Sequence, residues 1–540
     1  MKRHLGWLIA LAVAGSFCGR REAPAPSAAT LSRHLTGDPA TLDPTISNEE
    51  NALLVEALLF RPLLGIDGDR KPVPGLAKSW SASPDGLVYE FHLDPAATWD
   101  DGSPVTSDDV RFTIERIRDP KVPAYNWRSG YEDLVAIETP DAATVRVRFR
   151  EPYSERLLTL NLPIVSAAAF GRAKGPADTD RKPVGDGPYR FASWDANQKI
   201  RLVKRTDAAG AGAAFSEVVF RVISNGATRF QAGSRGDLDE FRISRDERKA
   251  GEANPEFASR FRIVKVPQFM EALIIWNCKA PFLSDARVRR ALVLAWPREE
   301  SARRLYPPEG ASLVSGPYPS GVAESAPDVA PPREDLAEAA RLLDQAGWKA
   351  SAPGTPRSPR RKDGKAASVE LLFPAGQAIY TQLAEILHSA YAKLGVELVE
   401  RPLDWAAFTQ RGDAGEFEAQ LTGRLFLPPN VDPYPYYHSS QCPPNGANAG
   451  CYRNPEVDRA MEAARREMDP EKRLEAYRQV HRLMVADPPA DFLWGGEQYW
   501  AISKRIDGVQ VSAIGLFHFL PGPLGWHPAG SASASGATAP

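Results

Sequence analysis

One segment constrains the fold more than any other: Pro267–Trp296, PQFMEALIIWNCKAPFLSDARVRRALVLAW. Its first part, Glu271–Trp276, is rich in Leu and Ile and has no helical period, which suits a strand buried on both faces. Pro281 marks a turn. Ser284 is then placed to cap a helix that gathers Val288, Ala291, Leu292 and Ala295 on one face and turns Arg287, Arg289 and Arg290 away from it. A buried strand feeding directly into an amphipathic helix is the repeating unit of an α/β protein.

The same alternation returns downstream. A strand at Val369–Phe373, a helix at Gln377–Leu394 closed by Gly395, and a strand at Val396–Val399 make a β-α-β unit, which predicts a parallel sheet. A helix over Arg333–Ala346 precedes this unit. Later, Asn454-Pro455 and Asp469-Pro470 each open a helix, the second with Leu474, Tyr477, Val480 and Met484 on its apolar face. At 540 residues the chain exceeds one hydrophobic core and is sized for roughly two to four domains. Lys and Arg total 66 against 68 acidic residues, so no basic footprint for nucleic acid exists.

At the N-terminus, Lys2-Arg3-His4 precedes an apolar run, Leu5–Val13, that is too short to cross a bilayer and is shaped like the core of a signal peptide. Two cleavage readings stand. Ala12-Val13-Ala14 is an A-x-A site, and Gly15-Ser16-Phe17-Cys18 resembles a lipobox that would make Cys18 the lipidated first residue. A Pro/Ala/Ser tether follows, and no later segment reaches transmembrane length, so a lipid on Cys18 would be the only membrane anchor. In an exported chain Cys442 and Cys451, which flank PPNGANAG, are expected to pair; a lipid on Cys18 leaves Cys278 as a buried free thiol beside Trp276, and without it a Cys18–Cys278 bridge is the alternative. A metal reading of His438, Cys442 and Cys451 lacks a fourth partner and the short C-x-x-C spacing.

Between the tether and the central segment, L-D-P at Leu42–Pro44 is followed by a helix that Pro62 stops. Leu87, Tyr89, Phe91 and Leu93 alternate as a half-buried strand after the turn Pro84-Asp85-Gly86. The turn Asp100-Asp101-Gly102 is expected to expose Trp99. Thr106 and Asp109 form a capping-box variant ahead of Val110, Ile114 and Ile117. These stretches carry P-x-L-A-x-S-W, S-x-D-G-L-x-Y-x-F-x-L, W-x-D-G-x-P-V-T and D-V-x-F in order. P-V-G-x-G-P-Y follows at Pro183–Tyr189, and the central segment carries W-N-x-x-x-P-F-x-S-D-x-R-V-R-R-A-L. Taken together they resemble the extracytoplasmic solute-binding proteins, family 5, that serve peptide and nickel ABC importers.

The resemblance implies an α/β, two-lobed periplasmic-binding-protein fold of type II, with an extra subdomain in the first lobe and mixed sheets flanked by helices. The implied boundaries are a signal peptide at 1–17 and a tether at 18–30. Lobe I comprises 31–48, 185–266 and 490–526, the extra subdomain 49–184 and lobe II 267–489, with a disordered tail at 527–540. By the same resemblance the solute is a peptide or another small polar molecule, the partners are ABC permease and ATPase subunits, and the location is the periplasm or the outer face of a bacterial membrane. No cofactor and no metal are implied, and a monomer is expected.

No H-E-x-x-H, G-x-S-x-G or G-x-x-x-x-G-K-[ST] is present. The expectation is therefore a binding protein and no enzyme; the alternatives are an exported hydrolase on the same scaffold, or a sensory or chaperone-like binding protein. Ligand-binding candidates are Glu49, Tyr125 and Trp127 in the first part of the chain. In the second part they are Trp405, Arg411, Arg424, Phe426, Asp432, Tyr434 and Tyr436. Arg can grip a carboxylate through two parallel bonds, and aromatic rings line concave sites. Peptide binders of the family place an Asp three residues before the Asp-Pro of this loop, where it neutralises the ligand's ammonium. Here Pro429 holds that position, so Asp432 or Glu49 would have to take over.

Overall fold

Strand pairing over long sequence distances organises the chain. The computed structural model describes residues 29–47, 49–175, 177–306, 311–319, 322–352, 358–425, 431–444, 446–512 and 514–531. Strand β1 (Thr30–Leu35) is buried along nearly its whole length and leads through a loop to helix α1 (Glu50–Leu59). Next comes an inserted unit with its own core. Strands β2 (Ala77–Ala82), β3 (Val88–Leu93), β4 (Leu134–Asp141) and β5 (Thr144–Phe149) form an antiparallel sheet in the order β2-β3-β5-β4. Helix α2 (Ser107–Arg118) lays Val110, Ile114 and Ile117 on it, against Phe91, Val145 and Val147. The helix starts where its capping box places it: the Thr106 N–H donates to Asp109 Oδ2 at 2.9 Å. That carboxylate also holds the Trp99 indole N–H at 3.3 Å, so Trp99 is buried where the turn composition predicts exposure.

The main sheet follows in chain order: β6 (Tyr189–Asp195), β7 (Lys199–Lys204), β8 (Glu217–Val222), β9 (Glu240–Ile243) and the long β10 (Phe261–Trp276). Then come helices α3 (Ala286–Val293) and α4 (Leu336–Gln345), strand β11 (Ser368–Pro374), helix α5 (Ala378–Lys393), strand β12 (Glu397–Leu403), helix α6 (Trp405–Asp413) and strand β13 (Ala419–Leu425). Helices α7 (Pro455–Arg466) and α8 (Pro470–Ala486) precede the second long strand, β14 (Ala490–Ser503). The sheet runs β12-β11-β13-β10-β14-β9-β1-β8-β7-β6, and the β11-α5-β12 unit is parallel, as its spacing predicts.

Two strands thread both halves of this sheet. Phe261–Gln268 of β10 pairs with Ser503–Gly496 of β14, and Glu271–Ile275 pairs with Gly495–Ala490. Strand β9 meets only the far end of β14, and β13 meets only Met270–Trp276 of β10. Between Gln268 and Glu271 the register shifts, because the residues between them have no counterpart between Gly496 and Gly495. Extra residues on one strand bend it and increase its twist, so the sheet changes direction here. On one side of the bend the core is Leu31, Leu35, Ile200, Phe220, Trp500 and Ile502; on the other, Ile274, Leu371 and Leu421 pack under α3 and α5.

The structure revises several expectations. Asp285, not Ser284, caps α3: its carboxylate accepts the Arg287 N–H at 2.9 Å, while the Ser284 hydroxyl donates to the Pro281 carbonyl. Arg289 is buried, because its guanidinium donates to the carbonyls of Pro488 and Leu283 and pairs with Asp487. Thr30 already belongs to β1 rather than to a tether. Ala490–Gly495 pairs with the far half of β10, so the crossing between halves falls inside β14 and not before Ala490. In the segment assigned to the tail, His527–Pro528 pairs with Ile506–Asp507. Cys442 and Cys451 are bridged, with Cα atoms 4.8 Å apart, and Cys278 is a free thiol whose pKa burial pushes up to about 11. Cys18 lies outside the described residues.

Candidate functional site

Strand direction locates the site. Strand β10 enters the second half, so β13, antiparallel to it, runs back toward the bend; β11 and β12 run with β13. Strand β14 enters the first half, so β9 also runs toward the bend, and β1 and β8 run with β9. The carboxyl ends of β1, β8 and β9 therefore face those of β11, β12 and β13 across a gap floored by the two long strands. Open α/β sheets bind ligands outside the carboxyl ends of their strands. Here two such edges share one gap.

Glu49 stands between the exit loop of β1 and the start of α1, and its carboxylate accepts the Ala40 N–H. Burial pushes its pKa up, against that hydrogen bond and the more distant Arg181. Across the gap Trp405 is the first residue of α6, directly after β12, and is 60% exposed, with its ring 5.7 Å from that of Phe408. Arg424 lies in β13 opposite Glu271, at the bend. The side chains of Arg424 and Tyr125, and the whole of Phe426 and Pro429, lie outside what the structure describes. Tyr125 opens the one-turn helix Tyr125–Arg128.

Other candidates are committed elsewhere. Trp127 is half-buried, and its indole N–H donates to the Pro44 carbonyl at 3.1 Å, which ties the inserted unit to the loop after β1. Arg411 sits six residues along α6 from Trp405, roughly 9 Å down the axis and away from the gap. It pairs there with Glu370 at 3.3 Å and donates to the Glu416 carbonyl at 3.0 Å.

Asp432 is buried and already satisfied. It pairs with Arg465 at 2.9 Å and accepts the Tyr153 hydroxyl at 3.1 Å and the Tyr434 N–H at 3.0 Å. The Arg465 guanidinium lies 4.5 Å from the Tyr153 ring centre and 4.0 Å from that of Tyr434. Tyr434 stacks on His438 at 4.0 Å, and Tyr436 packs against two small cores around Tyr437 and Tyr477. Asp432, Tyr434 and Tyr436 thus form a packed knot that joins the inserted unit to the second half. A carboxylate with this many partners is not free to neutralise a ligand's ammonium.

Further contacts span the same junction: Arg70 to Glu324 at 3.1 Å, Glu151 to Arg466 at 2.6 Å, and Gln441 to Glu132 at 2.6 Å. The inserted unit and the second half are thus in direct contact. Sequence reading missed Arg242, Arg245 and Tyr306. The two arginines flank the carboxyl end of β9, where Arg242 pairs with Glu50 at 3.5 Å and Arg245 donates to the Tyr306 carbonyl at 3.4 Å. Tyr306 in turn accepts the Trp494 indole N–H at 3.1 Å beside the bend. Only the direction of β9 singles these residues out, and direction is invisible without its partners.

Comparison with known proteins agrees with this geometry. Residues 71–446 match the bacterial extracellular solute-binding proteins, family 5 (middle). The chain belongs to this family. Protein XP55 of Streptomyces lividans is 27% identical over 490 residues, covering 89% of this chain and 86% of that one. Among solved structures, the oligopeptide-binding protein AppA of Bacillus subtilis in complex with a nonapeptide superposes with a TM-score of 0.80 at 23% identity, over 93% of this chain and 99% of that one. NikZ of Campylobacter jejuni in complex with Ni(L-His) gives 0.78 at 23% identity, over 93% and 100%.

The fold is accordingly the two-lobed periplasmic-binding-protein fold of family 5, the inserted unit is an extra subdomain of the first lobe, and the protein is an extracytoplasmic solute-binding protein. Among the described residues no group of three or more His, Cys, Asp or Glu is placed to hold a metal ion, and the bridge between Cys442 and Cys451 removes those sulfurs from any set with His438. No helix among them is long and apolar enough to cross a membrane.

Proposed function

We propose that this family 5 protein captures a peptide or peptide-like solute in the gap between its lobes and hands it, chemically unchanged, to the permease and ATPase subunits of an ABC importer. The observation that carries the reading is the pair of strand edges facing each other across the two through-strands, a gap that the swing of one lobe opens and closes. Strand β13 pairs with β11 only at Ala419 and Gln420, so toward the bend its other main-chain edge has no strand partner among the described residues. An extended peptide can add to such an edge through backbone hydrogen bonds. The nonapeptide held by the Bacillus subtilis relative supports that class of ligand.

In this reading Glu49 receives the solute's cationic end, Trp405 supplies apolar surface, and Arg245 and Arg424 meet its carboxylate or carbonyls. Lobe I comprises β1, α1, 185–266 and the chain from Gly496 of β14 onward; the extra subdomain lies within 61–184; lobe II runs from the bend to Gly495. The mature chain acts as a monomer, with Cys18 as its lipid anchor. Native mass spectrometry of protein purified from its own membranes without denaturation tests the function. A co-purifying peptide-like mass that raises the melting temperature when added back, and is recovered intact, is the expected result. Steady conversion of that molecule to a product would refute it.

A further inference from the structure

A second cavity lies away from the gap, where the extra subdomain meets α8, and has a volume of about 430 Å³. The subdomain contributes Arg70, Glu155, Leu157 and Leu158 to its wall; lobe II contributes Glu324, Arg473, Leu474 and Tyr477. Arg70 and Glu324 close on each other as an ion pair. Two opposite charges do not. Glu155 is 9% exposed and occupies the N-cap position of the short helix Arg156–Thr159, yet its side chain caps nothing. Its Oε2 has no hydrogen-bond partner, and burial pushes its pKa up to about 7. Arg473 makes only a long contact, 3.5 Å, to the Glu467 carbonyl and belongs to no ion pair among the described residues. The charge of Arg70, and more weakly that of Arg473, reaches Glu155, but neither forms an ion pair with it. Tyr477 adds a buried hydroxyl with no partner.

We infer that this cavity is a second ligand site, built for a small zwitterion of the amino-acid class with an aliphatic side chain. The ammonium sits against Glu155, the carboxylate takes the free fork of Arg473, and the side chain runs along Leu157, Leu158 and Leu474. The charge pattern selects the class. An amine alone leaves Arg473 unmatched, an acid alone leaves the buried Glu155 Oε2 without a donor, and either mismatch forfeits a charge-assisted hydrogen bond. A metal ion is disfavoured because Glu324 is already held by Arg70 and the cavity's carboxylates, Asp69, Glu155 and Glu324, are not grouped to hold one. Because the walls come from both sides of the junction, an occupant stabilises the closed lobes. By linkage it tightens the hold on the transported solute, and the solute tightens the hold on it. The site itself does not depend on the identity of the solute in the main gap; only the coupling rests on the proposed function.

The test is isothermal titration of the intact mature protein with L-leucine, isoamylamine and isocaproate, repeated on Glu155→Gln and Arg473→Gln after circular dichroism has checked their fold. Leucine is expected to bind at one site in the parent and at least about tenfold more weakly in each variant, with the amine and the acid at least about tenfold weaker than leucine in the parent. Both variants are expected to keep their affinity for the co-purified solute to within the loss of coupling. Leucine affinity unchanged in both variants would place the amino acid in the main gap and overturn the inference. Absence of binding, or isoamylamine binding as tightly as leucine, would overturn it as well. Arg473 lies in a partly exposed turn of α8, so its variant carries the test if Glu155→Gln does not fold.

Discussion

Replacing Asp432 separates two roles that look alike in the sequence. If the carboxylate is structural, Asp432→Ala strands the largely buried guanidinium of Arg465 without its counter-ion and removes the acceptor of the Tyr153 hydroxyl and the Tyr434 N–H. Breaking one side of a buried pair costs about 3–5 kcal/mol, since the surviving charge loses its compensation. The individual bonds, each worth about 1 kcal/mol, do not simply add to that figure, because they share one carboxylate. The expected result in urea, followed by tryptophan fluorescence, is a transition of lobe II displaced by roughly 3–5 kcal/mol. Tyr153→Phe should lose about 1 kcal/mol, and a double replacement, Asp432→Leu with Arg465→Met, should recover much of the loss because no buried charge remains. Solute affinity should fall only as far as closure is weakened. An Asp432→Ala protein with an unshifted urea transition and abolished binding would show that Asp432 touches the ligand and would refute the structural reading.

Other substitutions test the rest of the site and fold. Trp405→Ala, at an exposed helix start, should change stability by less than about 0.5 kcal/mol yet weaken solute binding measured by titration. Glu49→Gln should weaken a solute with a free ammonium by about tenfold and leave its N-acetylated form unaffected, as titration of both forms will show. Burial pushes Glu56 up to about 8, with the nearby acids Asp43 and Glu49 adding to the rise and the Ser47 hydrogen bond opposing it. Folded protein therefore keeps a proton that unfolded chain releases above about pH 4.3, so stability should fall by up to about 1.4 kcal/mol per pH unit as pH rises from there toward 8. Glu56→Gln should flatten that slope in urea titrations taken across the window. Reducing the bridge between Cys442 and Cys451 should cost about 2–3 kcal/mol by loop entropy, read as a lower urea midpoint with dithiothreitol present.

Features fixed by neighbours within a few residues are legible in the amino-acid sequence alone. The alternation of Tyr89, Phe91 and Leu93, the box of Thr106 and Asp109, and the caps Asn454 and Asp469 all stand where pattern and hydrogen-bonding chemistry place them. Long-range features are not. Arg289 reads as a surface cation because the carbonyl of Pro488 and the carboxylate of Asp487 that receive it are some two hundred positions away in the chain. The strand at Glu271–Trp276 is evident from its composition, but its extension back to Phe261 is hidden by Pro267, a residue that normally marks a strand's end or edge. The structure keeps Pro267 in β10, opposite Glu497, beside the place where the register shifts.

That hidden extension decides the site. If β10 stopped at the proline, β14 alone would join the two halves, and the gap would be floored by one strand instead of two. Because β10 and β14 run through both, the direction of every other strand in the sheet is set relative to one bend, and in the proposed reading Glu49 and Trp405 meet one solute from opposite lobes although each reads, locally, as an ordinary helix start. Arg411 shows the converse. Its residue type and its nearness to Trp405 in sequence suit a ligand contact, but two turns of α6 carry it to the amino end of β11, where Glu370 holds it. Which candidates bind is therefore a question of which end of a strand they follow, and that depends on pairings such as β1 with β8, nearly two hundred residues apart.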